Sequence, residues 1–308
     1  MRLKLGRPDI STYADRFTVP QASDDSPLAV TFLGVSTLLI EDGSSAVMTD
    51  GFFSRPGLVQ LARGRIEPDA SRIATCLSKA QVRKLDAVLP VHTHYDHALD
   101  SAFVARRTGA SVVGGESAAN IARGHGLPDE HIVVATPGSA MSFGSYTITM
   151  IESHHCPPDR FPGTIAAPVP VRARTTEYRC GEAWSIFITH EPSGQRALVQ
   201  GSAGYVEGAL AGQQAEVVYL GVGQLGIQSP DYMRTYWTET VRTIGARIAV
   251  LTHWDDFFRP LDQPLRALPF AGDDLDATMR ELSELAAADG VQLLFPTVWQ
   301  REDPWRLL

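Results

Sequence analysis

Short apolar runs alternate along this chain with stretches of helical spacing, and Gly, Pro and Asp punctuate them. Leu28 to Ile40 is dense enough in apolar side chains for a strand, Asp42-Gly43 is a hairpin turn, and Ala46 to Thr49 returns as a second strand. The segment 54–84 is irregular and predicts a loop with a helix near Ser78–Lys84. Asp86 to Val91 is a near-continuous apolar run, the pattern of a strand buried on both faces. Helices are predicted over Asp100–Thr108 and Ser117–Arg123, with strands at Ser111–Val113 and His131–Ala135 and a hairpin around Gly144. Prolines 157, 158, 162, 168 and 170 mark an extended loop, long enough to suggest a functional role.

Strands follow at Trp184–Thr189, Arg196–Gln200, Val217–Leu220 and Ile248–Leu251, and a helix at Asp231–Ile244. A last helix, Asp274–Ala288, has an aspartate to cap its start and Gly290 to end it, before a final strand at Val291–Phe295. Hairpins come first and strand–helix alternation second, in each half of the chain. Two mixed β-sheets with helices outside satisfy that order, an α/β four-layer αββα sandwich. Residues 1–27 are polar and read as an N-terminal arm, leaving 28–308 as a single domain.

Composition narrows the function classes. A net charge of −8 opposes nucleic-acid binding, which needs a basic face. Arg106, Arg107 and Arg123 read as a solvated helix face. The three cysteines, Cys76, Cys156 and Cys180, form no disulfide framework. No run approaches ~18 apolar residues, and the start has no apolar signal core. The expected setting is the cytoplasm, and the expected partner a small-molecule substrate.

The histidines carry the chemistry. His92, His94 and His97 fall within six residues, with Asp96 among them, at the end of the buried run 86–91. His154 and His155 end another predicted strand, and His253 a third. Imidazole and carboxylate are ligands for zinc and related ions. In extended chain, residues two apart point to one side, so His92 and His94 can reach one ion. Asp96 and His97 follow where a helix begins and can point to a second position. Gly221-Val222-Gly223-Gln224-Leu225-Gly226 has a dinucleotide-loop form, but Gln228-Ser229-Pro230 after it indicates a loop near the metal face. Phe52, Phe53, Trp254, Phe257 and Phe258 flank these motifs and are candidates for an apolar pocket wall or for core packing.

The segment His92-Thr93-His94-Tyr95-Asp96-His97 resembles the HxHxDH signature of the metallo-β-lactamase fold. Met48–Ser54, Ser153–Pro157 and Leu251–Trp254 resemble further motifs of that family in the same order, and the similarity is greatest to the branch of UlaG-type lactonases and N-acyl-phosphatidylethanolamine phospholipase D enzymes. The resemblance implies a metal-dependent hydrolase acting on an ester, lactone, amide or phosphodiester bond. It implies one metal site from His92, His94 and His155, with His154 the alternative to His155, and another from Asp96, His97 and His253. Asp96 would orient the nucleophile and shuttle its proton, and Asp50 would support the ligands or cap a turn. Zn2+ is the expected ion, one or two per chain, with Mn2+ or Fe the alternatives.

One position departs from the family. Ser202 stands where a metal-bridging aspartate is expected. Either an ion is lost or weakened, or Asp255, Asp256 or Cys156 compensates. A mononuclear-iron oxygenase and a non-catalytic, metal-stabilised binding protein are the competing functions.

Overall fold

A computed structural model describes residues 4–308. The first sheet is built from β1 (Ala29–Phe32), β2 (Leu38–Glu41), β3 (Ala46–Thr49), β4 (Ala87–Leu89), β5 (Ser111–Gly114) and β6 (Ile132–Val134) in that order. The second runs through β7 (Ala140–Phe143), β8 (Tyr146–Ser153), β9 (Ala183–His190), β10 (Arg196–Gln200), β11 (Val217–Gly221), β12 (Ile248–Thr252) and β13 (Gln292–Leu294). The closing strand of the chain, β14 (Arg301–Glu302), returns to pair antiparallel with β1, so each sheet has seven strands.

Side-chain alternation explains how two sheets and their helices share one chain. Leu38, Ile40, Val47, Ala87 and Leu89 face the second sheet, whose Ile148, Ile186, Leu198 and Val218 join them in one core. Leu39, Met48 and Val88, one residue out of phase, face the opposite way and pack against the helices Ala70–Lys79 and Ser101–Thr108. β2, β3 and β4 are therefore apolar on both sides, the signature of strands covered on both faces. Helices Pro230–Trp237 and Leu275–Asp289 cover the outer face of the second sheet. The αββα sandwich expected from the element order is the architecture observed.

Two expectations differ in detail, and one strand was not expected. The strand expected over 28–40 is two strands, because Gly34 and Val35 both take positive φ and fold the chain back on itself. Gly34 is required there: an added Cβ would collide with the buried Arg55 guanidinium. The helix expected near Ser78–Lys84 lies at Ala70–Lys79, where Asp69 accepts hydrogen bonds from the amides of Ser71 and Arg72. The two-residue strand β14 has too short a pattern to be read from sequence. Before β1, Phe17 stacks on Phe295, and the Pro20 carbonyl accepts from the Asp303 amide, tying the start of the chain to its end.

Strand direction places the site. β3 and β4 are parallel, as are β10, β11 and β12, and β8 runs with β10 because each is antiparallel to β9. The carboxyl ends of these strands release Asp50, His92, His155, Ser202, Gly223 and His253 toward the same end of the sandwich, the usual ligand face of α/β sheets.

Candidate metal centre

Two trios of donors meet at that end. His92, His94 and His155 form one, and Asp96, His97 and His253 the other, with ligand atoms in each within 4.8 Å of one another. In the first trio, His92 Nε2 lies 3.2 Å from His94 Nδ1, and the His155 ring sits 4.9 and 4.7 Å from the rings of His92 and His94. His154, the neighbouring alternative, is exposed and joins neither trio; it lines a surface groove beside Tyr205 and Tyr232 that His155 also borders. In the second trio, Asp96 Oδ2 is 3.6 Å from His97 Nε2 and 3.5 Å from His253 Nε2, and the two Nε2 atoms are 3.2 Å apart. Four donors around a tetrahedral ion with bonds of ~2.0–2.2 Å stand about 3.3–3.6 Å apart, so this triangle has the size of a zinc ligand face.

Tautomers can be assigned from acceptor-only partners. His97 Nδ1 donates to Asp50 Oδ2 at 2.7 Å, which leaves Nε2 bare toward His253. His155 Nδ1 donates to the Cys156 carbonyl at 2.6 Å and leaves its Nε2 bare. His94 Nε2 faces Asp159 Oδ1 at 3.2 Å and the Phe161 carbonyl at 3.4 Å, which leaves Nδ1 bare toward His92. Three imidazoles thus spend one nitrogen on an oxygen and turn the other, a lone pair, into the cluster. His94 Nδ1 and His97 Nε2 lie 3.2 Å from His92 Nε2 and His253 Nε2 respectively, and this convergent, nitrogen-rich donor set fits a dication.

The electrostatics agree for the first trio; in the second, burial opposes protonation of His97, but Asp50 and Asp96 outweigh it and raise that imidazole. Burial, reinforced by the neighbouring imidazoles, holds His92 well below the ordinary histidine range, and burial brings His155 down to about 4. Burial also lowers His94, against the pull of Asp96 and Asp159. Such rings are neutral at pH 7, the form in which imidazole can ligate a metal. Burial opposes ionisation of Asp96, but His97 and His253 outweigh it and hold the carboxyl below the usual carboxylate range. Asp50 is fully buried; its Oδ1 accepts from the Val91 amide at 2.9 Å, and its carbonyl accepts from Ser101 Oγ at 2.6 Å. It therefore ties the end of β3 to the loop after β4 while orienting His97, at the cost of a positive φ.

Ser202 lines the cleft over these trios, and its Oγ accepts from the Cys156 amide at 3.0 Å. None of the three residues considered as compensation replaces a carboxylate there. Asp255 is buried against Arg55 at 2.6 Å and accepts from the Val35 amide at 2.8 Å. Asp256 pairs with Arg7 and Arg266 at 3.1 and 2.9 Å. Burial pushes the Cys156 thiol far up, so it stays protonated. Asp255 works at one remove: Val35, whose amide it holds, offers its carbonyl to the His253 amide at 2.7 Å.

Sequence reasoning missed the loop residues that close the site. Asp159 locks His94, and its carboxylate lies with Cys180 and His94 in a third donor cluster. Burial and the Asp159 charge push the Cys180 thiol up to about 12, so this cluster reads as support for His94. The proline-rich composition of 157–174 was the one available signal. Gly223 presses on the ring of His253, where a Cβ would stand 2.7 Å from Nδ1. Asp273 anchors that loop by accepting from the Gln224 and Gly226 amides at 3.0 and 3.1 Å, which accounts for the glycine pattern without a nucleotide.

A cleft of about 220 Å³ opens above the trios, walled by Tyr95, Phe161, Phe257, Phe258 and Leu268. Phe52, Phe53 and Trp254 are buried core instead. No residue of 54–84 lines the cleft; Ile66 pairs with Ala173 and braces the loop that does.

A model of the beta-lactamase superfamily domain matches residues 47–254, which include both trios. The chain belongs to the beta-lactamase superfamily. Among this superfamily member's curated relatives is a protein of Myxococcus xanthus named a metal-dependent hydrolase, 27% identical over 137 residues. That match covers 44% of the present chain and 42% of the relative, so the chain accounts for less than half of the relative's length. Igni18, a metallo hydrolase from Ignicoccus hospitalis, shares the fold with a TM-score of 0.52 at 14% identity, over 90% of this chain and 96% of its own. CmlA, a diiron β-hydroxylase from Streptomyces venezuelae, shares it with a TM-score of 0.52 at 11% identity, over 91% of this chain and 54% of its own.

Proposed function

We propose that this superfamily member is a metal-dependent hydrolase of small molecules, with His92, His94 and His155 holding one ion and Asp96, His97 and His253 a second. The observation that carries the reading is the convergence of the two donor trios beneath an apolar cleft. The superfamily and the metal-dependent hydrolase among its relatives support it. Within the superfamily we assign it to the branch resembling the UlaG-type lactonases and N-acyl-phosphatidylethanolamine phospholipase D. Zinc suits the nitrogen-rich, buried donor set best. Lewis acidity is the chemistry a dication supplies there, lowering the pKa of water from ~15.7 toward ~7 and polarising a substrate oxygen.

The chain's own residues do the rest. Asp96, ionised at neutral pH, orients the attacking water and accepts its proton. Asp50 and Asp159 keep His97 and His94 in the tautomers that leave ligand nitrogens bare. The aromatic wall excludes bulk water and seats the ester, lactone, amide or phosphodiester group. Each trio offers three donors, the number a catalytic zinc site uses, so two ions have ligands without a bridge. What is short is charge: Ser202 is neutral, and the second ion binds more weakly than it would beside a carboxylate. Three free cysteines fit a reducing compartment such as the cytoplasm, and no helix among the described residues is long and apolar enough to cross a membrane.

The test is a panel of ester, lactone, amide and phosphodiester substrates, assayed after chelation and after reloading with zinc, manganese or iron. One bond class should be turned over in a chelator-sensitive way, and Asp96→Asn should lower kcat by about 100-fold or more. Protein that retains iron and turns over no member of the panel would contradict the hydrolase reading.

A further inference from the structure

The cleft carries a cation that the hydrolytic chemistry does not use. Arg160 lines it, exposed at the mouth, and makes no hydrogen bond or ion pair with any described residue. Its neighbours in sequence are both committed to the metal centre: Asp159 Oδ1 accepts from His94 and from the Phe161 amide at 2.9 Å, and the Phe161 carbonyl faces His94. The adjacent carboxylate is thus turned inward, and the guanidinium between these two residues is left without a counter-charge. What sets Arg160 apart from other arginines is its place at the mouth of a mostly apolar cleft. Phe257 and Phe258, 4.4 Å apart between ring centroids with their planes tilted by 43°, line the same cleft with Leu268 as its apolar wall. Gln224 adds a buried side-chain oxygen with no hydrogen-bond partner among the described residues.

We infer that Arg160 reads an anionic group on the substrate, and that the cleft takes molecules joining such a group to an apolar portion packed against Phe257, Phe258 and Leu268. A guanidinium offers forked donors that suit carboxylate, sulfonate and phosphate oxygens alike, and its bonds to an anion are stronger than those to a neutral acceptor. The inference deepens the hydrolase reading and rests on it for calling the bound molecule a substrate. It also makes Arg160, a residue outside the metal ligand set, the determinant of which substrates are preferred.

Binding of two inert probes tests it on the zinc-loaded protein by titration calorimetry. Naphthalene-2-sulfonate carries the charge, and methyl 2-naphthyl sulfone is its neutral analogue. The native protein should bind the sulfonate about ten-fold more tightly than the sulfone. Arg160→Ala should abolish that ratio, and Arg160→Lys should keep part of it. Equal binding of the two probes by the native protein would overturn the inference. So would a preference that survives Arg160→Ala, since the anion would then be held by the metal ions. Failure of both probes to bind would overturn the apolar half. A charge preference that depends on Arg160, in a protein that turns over nothing in the substrate panel, would leave Arg160 as an anion reader and remove the hydrolase.

Discussion

At the scale of single residues, the centre is governed by what each histidine does with its second nitrogen. Asp50, the Cys156 carbonyl and the pair Asp159 and Phe161 each take one N–H, and the bare nitrogens that remain converge. On the proposed two-ion reading, Ser202 is the position where charge is short. Its hydroxyl receives the Cys156 amide and adds no negative charge between the trios. Ser202→Asp should therefore tighten the second ion, and zinc titration followed by calorimetry should show the tight stoichiometry rising toward two. Unchanged stoichiometry and affinity would mean that Ser202 does not limit binding. The ligand cluster His92–His97 was legible in the sequence because its spacing and its place after a buried run are local properties. His155 could be preferred to His154 only by resemblance, and strand direction decides which of the two rings turns inward. Asp159 and Arg160 were not legible, because their roles come from a contact between a proline-rich loop and a strand end 65 or more positions away in the chain.

At the scale of elements, the parallel arrangement of β3 with β4 and of β10 with β11 and β12 explains why candidate donors so distant in sequence arrive together. Most strands were legible from apolar runs and period-two alternation. The break at Gly34-Val35 was not, since the apolar pattern continues through it and only the Arg55 guanidinium lying over Gly34 demands the turn. The helix at Ala70–Lys79 was displaced in the reading because its cap, Asp69, sits in an irregular stretch. The loop after β11 bears on function through packing. Gly223→Ala would place a methyl group 2.7 Å from His253 Nδ1, closer than carbon and nitrogen can approach. The ring must move, so zinc affinity at Asp96, His97 and His253 should fall about ten-fold or more, with the first trio unaffected. Identical titration curves for native and variant protein would show that His253 has room to spare.

At the scale of the whole molecule, the chain closes on itself where β14 pairs with β1 and the segment before β1 docks on the last strands. A buried carboxylate sits at that closure. Glu302 accepts from the Thr297 amide at 2.8 Å, yet burial outweighs this bond and pushes its carboxyl up to about 8 from 4.5. The folded state therefore binds this proton more tightly than the unfolded chain does. The stabilisation is complete below about pH 4.5 and is lost as pH rises through about 8. Glu302→Gln, neutral throughout, should gain melting temperature relative to the native protein between about pH 5 and pH 9. Parallel melting curves across that range would show that Glu302 ionises freely.

The central claim is that two nitrogen- and oxygen-donor trios, rather than the cysteines near them, hold the catalytic ions. Zinc-edge X-ray absorption on the loaded protein tests this most directly. The expected spectrum has only nitrogen and oxygen neighbours at ~2.0–2.2 Å, with the multiple-scattering pattern of coordinated imidazole. A sulfur shell at ~2.3 Å would contradict the account, moving the ion to Cys156 or to the Cys180, Asp159 and His94 cluster.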